Sequence, residues 1–137
     1  MSFAFSAGLQ AGVFARLRDD AAVAALIGGA IFDAPPPLDP EETEYVLLGE
    51  ETVRSNGTKT SDGALHDFTV TVVSGRDGFD GAKRVAAAVC AALIDAPMAL
   101  DAGRLVALRF LRAGAERGPA PARRKVTLRF RAVVDQD

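Results

Sequence analysis

The chain predicts an α+β fold: a single antiparallel or mixed sheet built from two β-hairpins, with helices packed on one face, in the order α-α-β-β-α-β-β. Three observations point there. Apolar residues alternate with polar ones along Phe68, Val70 and Val72, and again along Val126, Leu128, Phe130, Ala132 and Val134; a period of two is that of a strand with one buried face. Between these runs the spacing changes to three and four residues over Phe79, Ala82, Val85, Ala86, Val89 and Leu93, the period of an amphipathic helix. A further helical pattern precedes both, and one sheet with helices on a single face is the layer arrangement that buries all of these stripes.

Taken in order, Leu9, Val13, Arg16 and Leu17, with Phe5 one turn earlier, predict a helix over residues 5–18. Gly8 and Gly12 are either tolerated costs there or points of close approach. Asp19 and Asp20 are good N-caps for a second helix at residues 21–27, which Gly28 and Gly29 terminate. Residues 30–33 admit a short strand. Residues 34–44, APPPLDPEETE, contain four prolines; these remove backbone donors and fix φ, so the segment reads as an extended acidic loop, either an interaction arm or a plain connector.

Residues 45–54 and 65–74 predict a pair of strands joined by a polar, turn-rich loop at 55–63. In the second strand Phe68, Val70 and Val72 face the core, while Asp67, Thr69 and Thr71 face solvent, a lumen or a neighbour. Residues 76–78 form a turn into the alanine-rich helix, which ends near Ile94 with Pro97 marking the exit. The last hairpin has Val106, Leu108 and Phe110 alternating with Leu105, Ala107 and Arg109, then residues 125–134, with AGAERGPAPA (113–122) expected as a flexible loop. No internal repeat appears, and residues 1–137 read as one domain.

Composition narrows the function. The chain has 49% hydrophobic and 25% charged residues and a formal net charge of −2, so it is not a strongly basic nucleic-acid binder. A single cysteine, Cys90, excludes an internal disulfide and fits synthesis in a reducing compartment. The N-terminus lacks the pattern of a signal peptide, and no run approaches the roughly 18 apolar residues of a membrane helix. Charge is unevenly spread. Seven acidic and no basic residues lie between Asp33 and Glu51, among them Glu41, Glu42 and Glu44. Nine basic residues and one acidic residue, Glu116, lie between Arg104 and Arg131. These are either two solvated surfaces or the two complementary surfaces that head-to-tail association requires. Arg123, Arg124, Lys125, Arg129 and Arg131 with Glu41, Glu42 and Glu44 are the interface candidates; the basic cluster also suits non-specific contact with nucleic acid.

No residue pattern supplies catalysis. His66 is the sole histidine, and its neighbour Asp67 points to the opposite strand face. Cys90 has no base nearby in the sequence and reads as a small, buried or half-buried apolar residue. GRDGFDG lacks the lysine and hydroxyl of a phosphate loop and the spacing of a dinucleotide or calcium loop. No cofactor, metal or catalytic residue is therefore expected.

The ordered run of LQAGVFARLRDDAAVAALIGGAIFDAPP, YVLLGEE, DFTVTVVSG and AKRVAAAVCAAL, with two alternating segments after it, resembles the tail-completion or tail-terminator family of long-tailed phages and phage-like particles such as gene transfer agents. The resemblance spans residues 9–134. It implies a non-catalytic α+β subunit of a virion or phage-like particle. Such a subunit would assemble into a hexameric ring on the tail tube, stop tube growth and meet a head-side connector or stopper protein. Where many relatives carry proline before the aromatic residue of the first strand, this chain has Glu44 before Tyr45. Another neck protein and a small ligand-binding α+β domain remain open as alternatives; a preformed apolar pocket would mark the latter.

Overall fold

Asp20 divides the N-terminal helical region in two. Its carboxylate accepts from the Val23 amide at 3.0 Å and so caps α2 (Ala21–Ile27), while its own extended backbone ends α1 (Ser6–Asp19). Gly28, at φ 61°, closes α2 in a conformation that a side chain would resist. The structure, a computed structural model, describes residues 3–35, 44–57, 62–76, 78–117 and 123–136. Within these the elements continue as β1 (Ile31–Phe32), β2 (Glu44–Ser55), β3 (Gly63–Ser74), α3 (Asp80–Leu93), β4 (Arg104–Arg117) and β5 (Arg124–Asp135). The α+β order expected from the sequence holds, with the short strand β1 added before the first hairpin.

The five strands form one mixed sheet in the order β1-β2-β3-β5-β4. Strand β1 is parallel to β2; every other pairing is antiparallel. The second hairpin thus enters the sheet through β5, which pairs with β3 along its whole length, Gly63 opposite Asp135 through Ser74 opposite Arg124. That places β4 at the outer edge.

Helices lie over one face of the sheet. Leu9, Val13 and Leu17 of α1, Val23 of α2, and Ala82, Val85, Val89 and Leu93 of α3 form one buried cluster. They pack with Val46, Phe68, Val70, Val72, Leu128, Phe130, Ala132 and Val134 from the sheet. Phe130 is fully buried and stacks on Phe68 at 5.5 Å between centroids, with Phe110 edge-on at 6.1 Å. Arg16 Nε donates to the Ala92 carbonyl at 2.9 Å, tying α1 to the last turn of α3, where carbonyls lack intrahelical donors. The two helix-α1 glycines are points of close approach: a Cβ on Gly8 would overlap the Asp101 carboxylate, and one on Gly12 would press the Met98 side chain.

Two expectations fail at β4. Residues 113–117 are strand and not loop, because β5 offers them partners, Ala113 opposite Leu128 through Arg117 opposite Arg124. Pairing along a neighbouring strand outweighs the local cost of Gly114. Nor does the alternation of Val106, Leu108 and Phe110 hold along the strand. Register shifts at Leu105/Ala107 and Phe110/Arg112 break it at Val106 and Leu111, 48% and 41% exposed, while Leu108 and Phe110 keep the core face opposite Ala132 and Phe130, Leu108 fully buried and Phe110 44% exposed at its rim.

Candidate assembly surfaces

The face of the sheet away from the helices carries the side chains that alternate with the core. Lys125, Arg129 and Arg131 on β5 point there together, and the register sets Arg129 beside Arg112 and Arg131 beside Arg109. Arg54 joins them from β2 and Asp67 and Thr69 from β3. Arg131 holds Asp67 in a two-pronged contact, Nε–Oδ1 2.7 Å and Nη2–Oδ2 2.9 Å. That hydrogen bonding, opposed by partial burial and helped by the nearby charges of Arg131 and Arg54, lowers the Asp67 pKa below the ordinary carboxylate range; the Arg131 pKa is raised in turn. Lys125 Nζ lies 3.4 Å from Glu116, and Arg129 donates to Thr69 at 3.5 Å. Thr69 is buried beneath these long side chains, while Arg109, Arg112 and Arg129 are exposed. Arg109, Arg112 and Arg129 make no ion pair among the described residues, which leaves this face positive.

The basic cluster of the sequence divides here. Arg124 is one residue from Lys125 and therefore on the opposite, helix-bearing side, half-buried, with its guanidinium 5.5 Å from the Phe79 ring centroid. Arg123 reaches the Tyr45 hydroxyl at 3.3 Å. Of the acidic candidates, Glu41 and Glu42 lie outside the described residues. Glu44 is the first residue of β2, accepting from the Ser74 hydroxyl at 3.1 Å with Arg76 at 3.8 Å. The acidic and basic candidates are thus not gathered into one site. Three arginines beyond the basic cluster, Arg54, Arg109 and Arg112, share the face with it; only strand register could reveal them.

A buried polar node escaped the sequence altogether. His66 is fully buried, and its Nδ1 donates to Glu51 Oε2 at 2.7 Å, while the Ser6 hydroxyl at the start of α1 donates to Glu51 Oε1. The order of groups settles its chemistry. In a serine nucleophile the imidazole stands between hydroxyl and carboxylate to take the proton; here the carboxylate stands between, so the imidazole cannot activate Ser6. The node ties α1 to the sheet across β2 and β3. The carboxylate that meets His66 belongs not to its chain neighbour Asp67 but to Glu51 of the adjacent strand. Cys90 is half-buried in α3, and burial pushes its thiol pKa up, away from the reactive thiolate. Among the described residues no group of three His, Cys, Asp or Glu side chains is placed to hold a metal ion. No described helix is long and apolar enough to cross a membrane.

Two concavities adjoin α1. A cavity of about 20 Å³ lies under the β2 irregularity between Leu9, Val13, Leu48 and Phe68; that is room for a water and not for a metabolite. Beside it an open groove of about 830 Å³ runs between α1 and β1, lined by Phe3, Ala7, Phe14, Phe32 and Leu48 among others.

The structure therefore describes a small α+β assembly subunit. The chain belongs to the tail completion protein gp17 family, whose model matches residues 11–135, and so is a structural protein of phage-type tails. Among solved structures it is similar to a chain in the virion of a native gene transfer agent particle, at 46% identity and a TM-score of 0.90, covering 98% of this chain and 99% of that one. No curated protein sequence matches it.

Proposed function

We propose that the chain assembles into a ring, a hexamer, at the head-proximal end of the tail tube, where it ends tube polymerisation and presents the joining surface for the head. The observation that carries this reading is the near full-length likeness to a virion chain, 46% identical at a TM-score of 0.90, in a chain of the tail completion family. Its partners are copies of itself, the tube protein and a head-side connector or stopper protein, and its place is the neck of a virion or phage-like particle after synthesis in a bacterial cytoplasm. The role is geometric and stoichiometric: a bound ring covers the growing end. No catalytic residue or cofactor enters it. The arginine-rich sheet face, if turned to the lumen, would meet DNA through phosphates alone, a contact without sequence preference that weakens steeply with salt.

Deletion of the gene followed by electron microscopy of the lysate tests the proposal. Tails that are overlong or unattached, with tubes and filled heads still made, are the expected result. Normal-length tails on filled heads would sink it. Normal-length tails that fail to attach would instead assign the chain to another position in the neck.

A further inference from the structure

The sheet face away from the helices holds an open groove of about 560 Å³ that runs across the strands. Thr71, Thr127 and Gly114, opposite one another on β3, β5 and β4, form its floor, and Arg112 and Arg129 form one wall. On the other wall Lys125 is offset by Glu116 at 3.4 Å. Gly114 is the informative residue. A glycine inside a strand marks a bulge, a tight bend or a close approach by another backbone. Gly114 pairs regularly with Thr127 beyond the β4 irregularity, it is not among the positive-φ glycines, and a Cβ built on it would meet nothing within 4 Å. Its own fold gives no reason for a residue that costs a strand about 0.5–1 kcal/mol relative to alanine. The approach that glycine permits there comes from another chain.

Charge gives the chemistry of the occupant. Arg109, Arg112 and Arg129 are exposed and make no ion pair among the described residues, whereas Asp67 and Glu116 are already engaged by Arg131 and Lys125. The chain itself carries a matching stretch: Asp39, Glu41 and Glu42, in a run from Asp33 to Glu51 without a basic residue. These acids lie midway in the sequence between Pro35, just beyond β1, and Glu44, the first residue of β2, so both attachment points are on the side of the sheet opposite β4. Four residues reach at most about 13 Å, enough to cross the two outer strands of a neighbour at about 4.8 Å each. Pro36, Pro37 and Pro40 offer no backbone donor, so the segment suits docking by its carboxylates and not extension of a sheet. Its own groove is the poorer seat, because Glu50 stands at the β2 end, closer to the attachment points than any of the three arginines. We propose that residues 39–42 of one copy lie in the groove of the next, their carboxylates on Arg112 and Arg129 with Arg109 alongside, and their backbone over Gly114. Such a contact joins two different surfaces head to tail, the kind that closes into a ring.

This inference rests on the ring reading, and the experiment separates the two. The full chain is compared with Asp39→Lys/Glu41→Lys/Glu42→Lys, with Arg112→Glu/Arg129→Glu and with Gly114→Val. Light scattering after size exclusion and native mass spectrometry give the oligomer, and circular dichroism confirms the fold. Wild type should form a defined oligomer. Each charge variant should associate about tenfold more weakly or worse, since like charges then face each other at every junction. Gly114→Val should weaken association as much, with a monomer Tm unchanged or higher, because valine has room there and suits a strand. A chain carrying both sets of reversals should recover the oligomer, since opposite charges meet again. Wild-type assembly by the acidic-segment variant or by Gly114→Val would overturn the groove seat while leaving the ring intact, and so would a folded double-reversal chain that fails to recover. A wild-type chain that stays monomeric at every concentration would overturn the ring and the groove seat together.

Discussion

Replacing Glu51 with alanine strips the acceptor from a fully buried imidazole. His66 Nδ1 loses its 2.7 Å partner and has no other acceptor among the described residues; its Nε2 is also buried without a partner among them. The Ser6 hydroxyl, buried but bordering the open groove beside α1, can turn to water there. A buried donor left unmatched next to a former carboxylate costs about 2–3 kcal/mol. With an unfolding entropy of roughly 2.1 cal/mol/K per residue, the chain should lose about 7–10 °C in Tm. Glu51→Gln keeps an oxygen acceptor and should lose only about half as much, the charge-assisted share of the bond. Thermal unfolding followed by circular dichroism at one protein concentration gives these values, since assembly makes Tm concentration-dependent. A double-mutant cycle with His66→Leu should show coupling of about 1–2 kcal/mol. A Tm change under about 2 °C for Glu51→Ala, or independent effects in the cycle, would refute the node as the anchor of α1.

Three further outcomes follow from the same geometry. The Asp67 pKa lies below its ordinary value, so its pair with Arg131 contributes stability that is present above the unfolded pKa near 4 and is lost as pH falls through the lower folded value. The stability difference between wild type and Asp67→Asn, from urea titrations, should therefore be constant at neutral pH and shrink on acidification below about pH 4; a difference that grows toward acid would contradict this. Phe130→Ala removes a fully buried ring that touches Phe68 and Phe110 and should cost about 3–5 kcal/mol in urea denaturation; a loss under 1 kcal/mol would mean the stack does not carry the core. Cys90, half-buried with a raised pKa, should react with a thiol reagent at pH 7.5 at least about tenfold more slowly than in urea, and equal rates would show an open site.

The sequence alone determined the local elements. A period of two along Phe68–Val70–Val72 and of three to four along Ala82–Val85–Ala86–Val89 depends only on backbone geometry within a few residues, so helices, hairpins and the core face of β3 and β5 were legible. Asp20 and Gly28 marked the ends of α2 for equally local reasons. Everything that concerns assembly was set by pairing between distant segments. That β5 and not β4 lies beside β3 made β4 an edge; its register shifts turned out Val106 and Leu111; and β5 converted residues 113–117 from an expected loop into strand. The same pairing separated Arg124 from Lys125 and gathered Arg54, Arg109 and Arg112 beside Arg129 and Arg131. Glu51 and His66, fifteen positions apart, met only because the pairing of β2 and β3 sets them diagonally across from each other. Periodicity records which face a residue occupies on its own strand, while the neighbour across the sheet depends on strand order and register, and those are fixed by the packing of the whole chain.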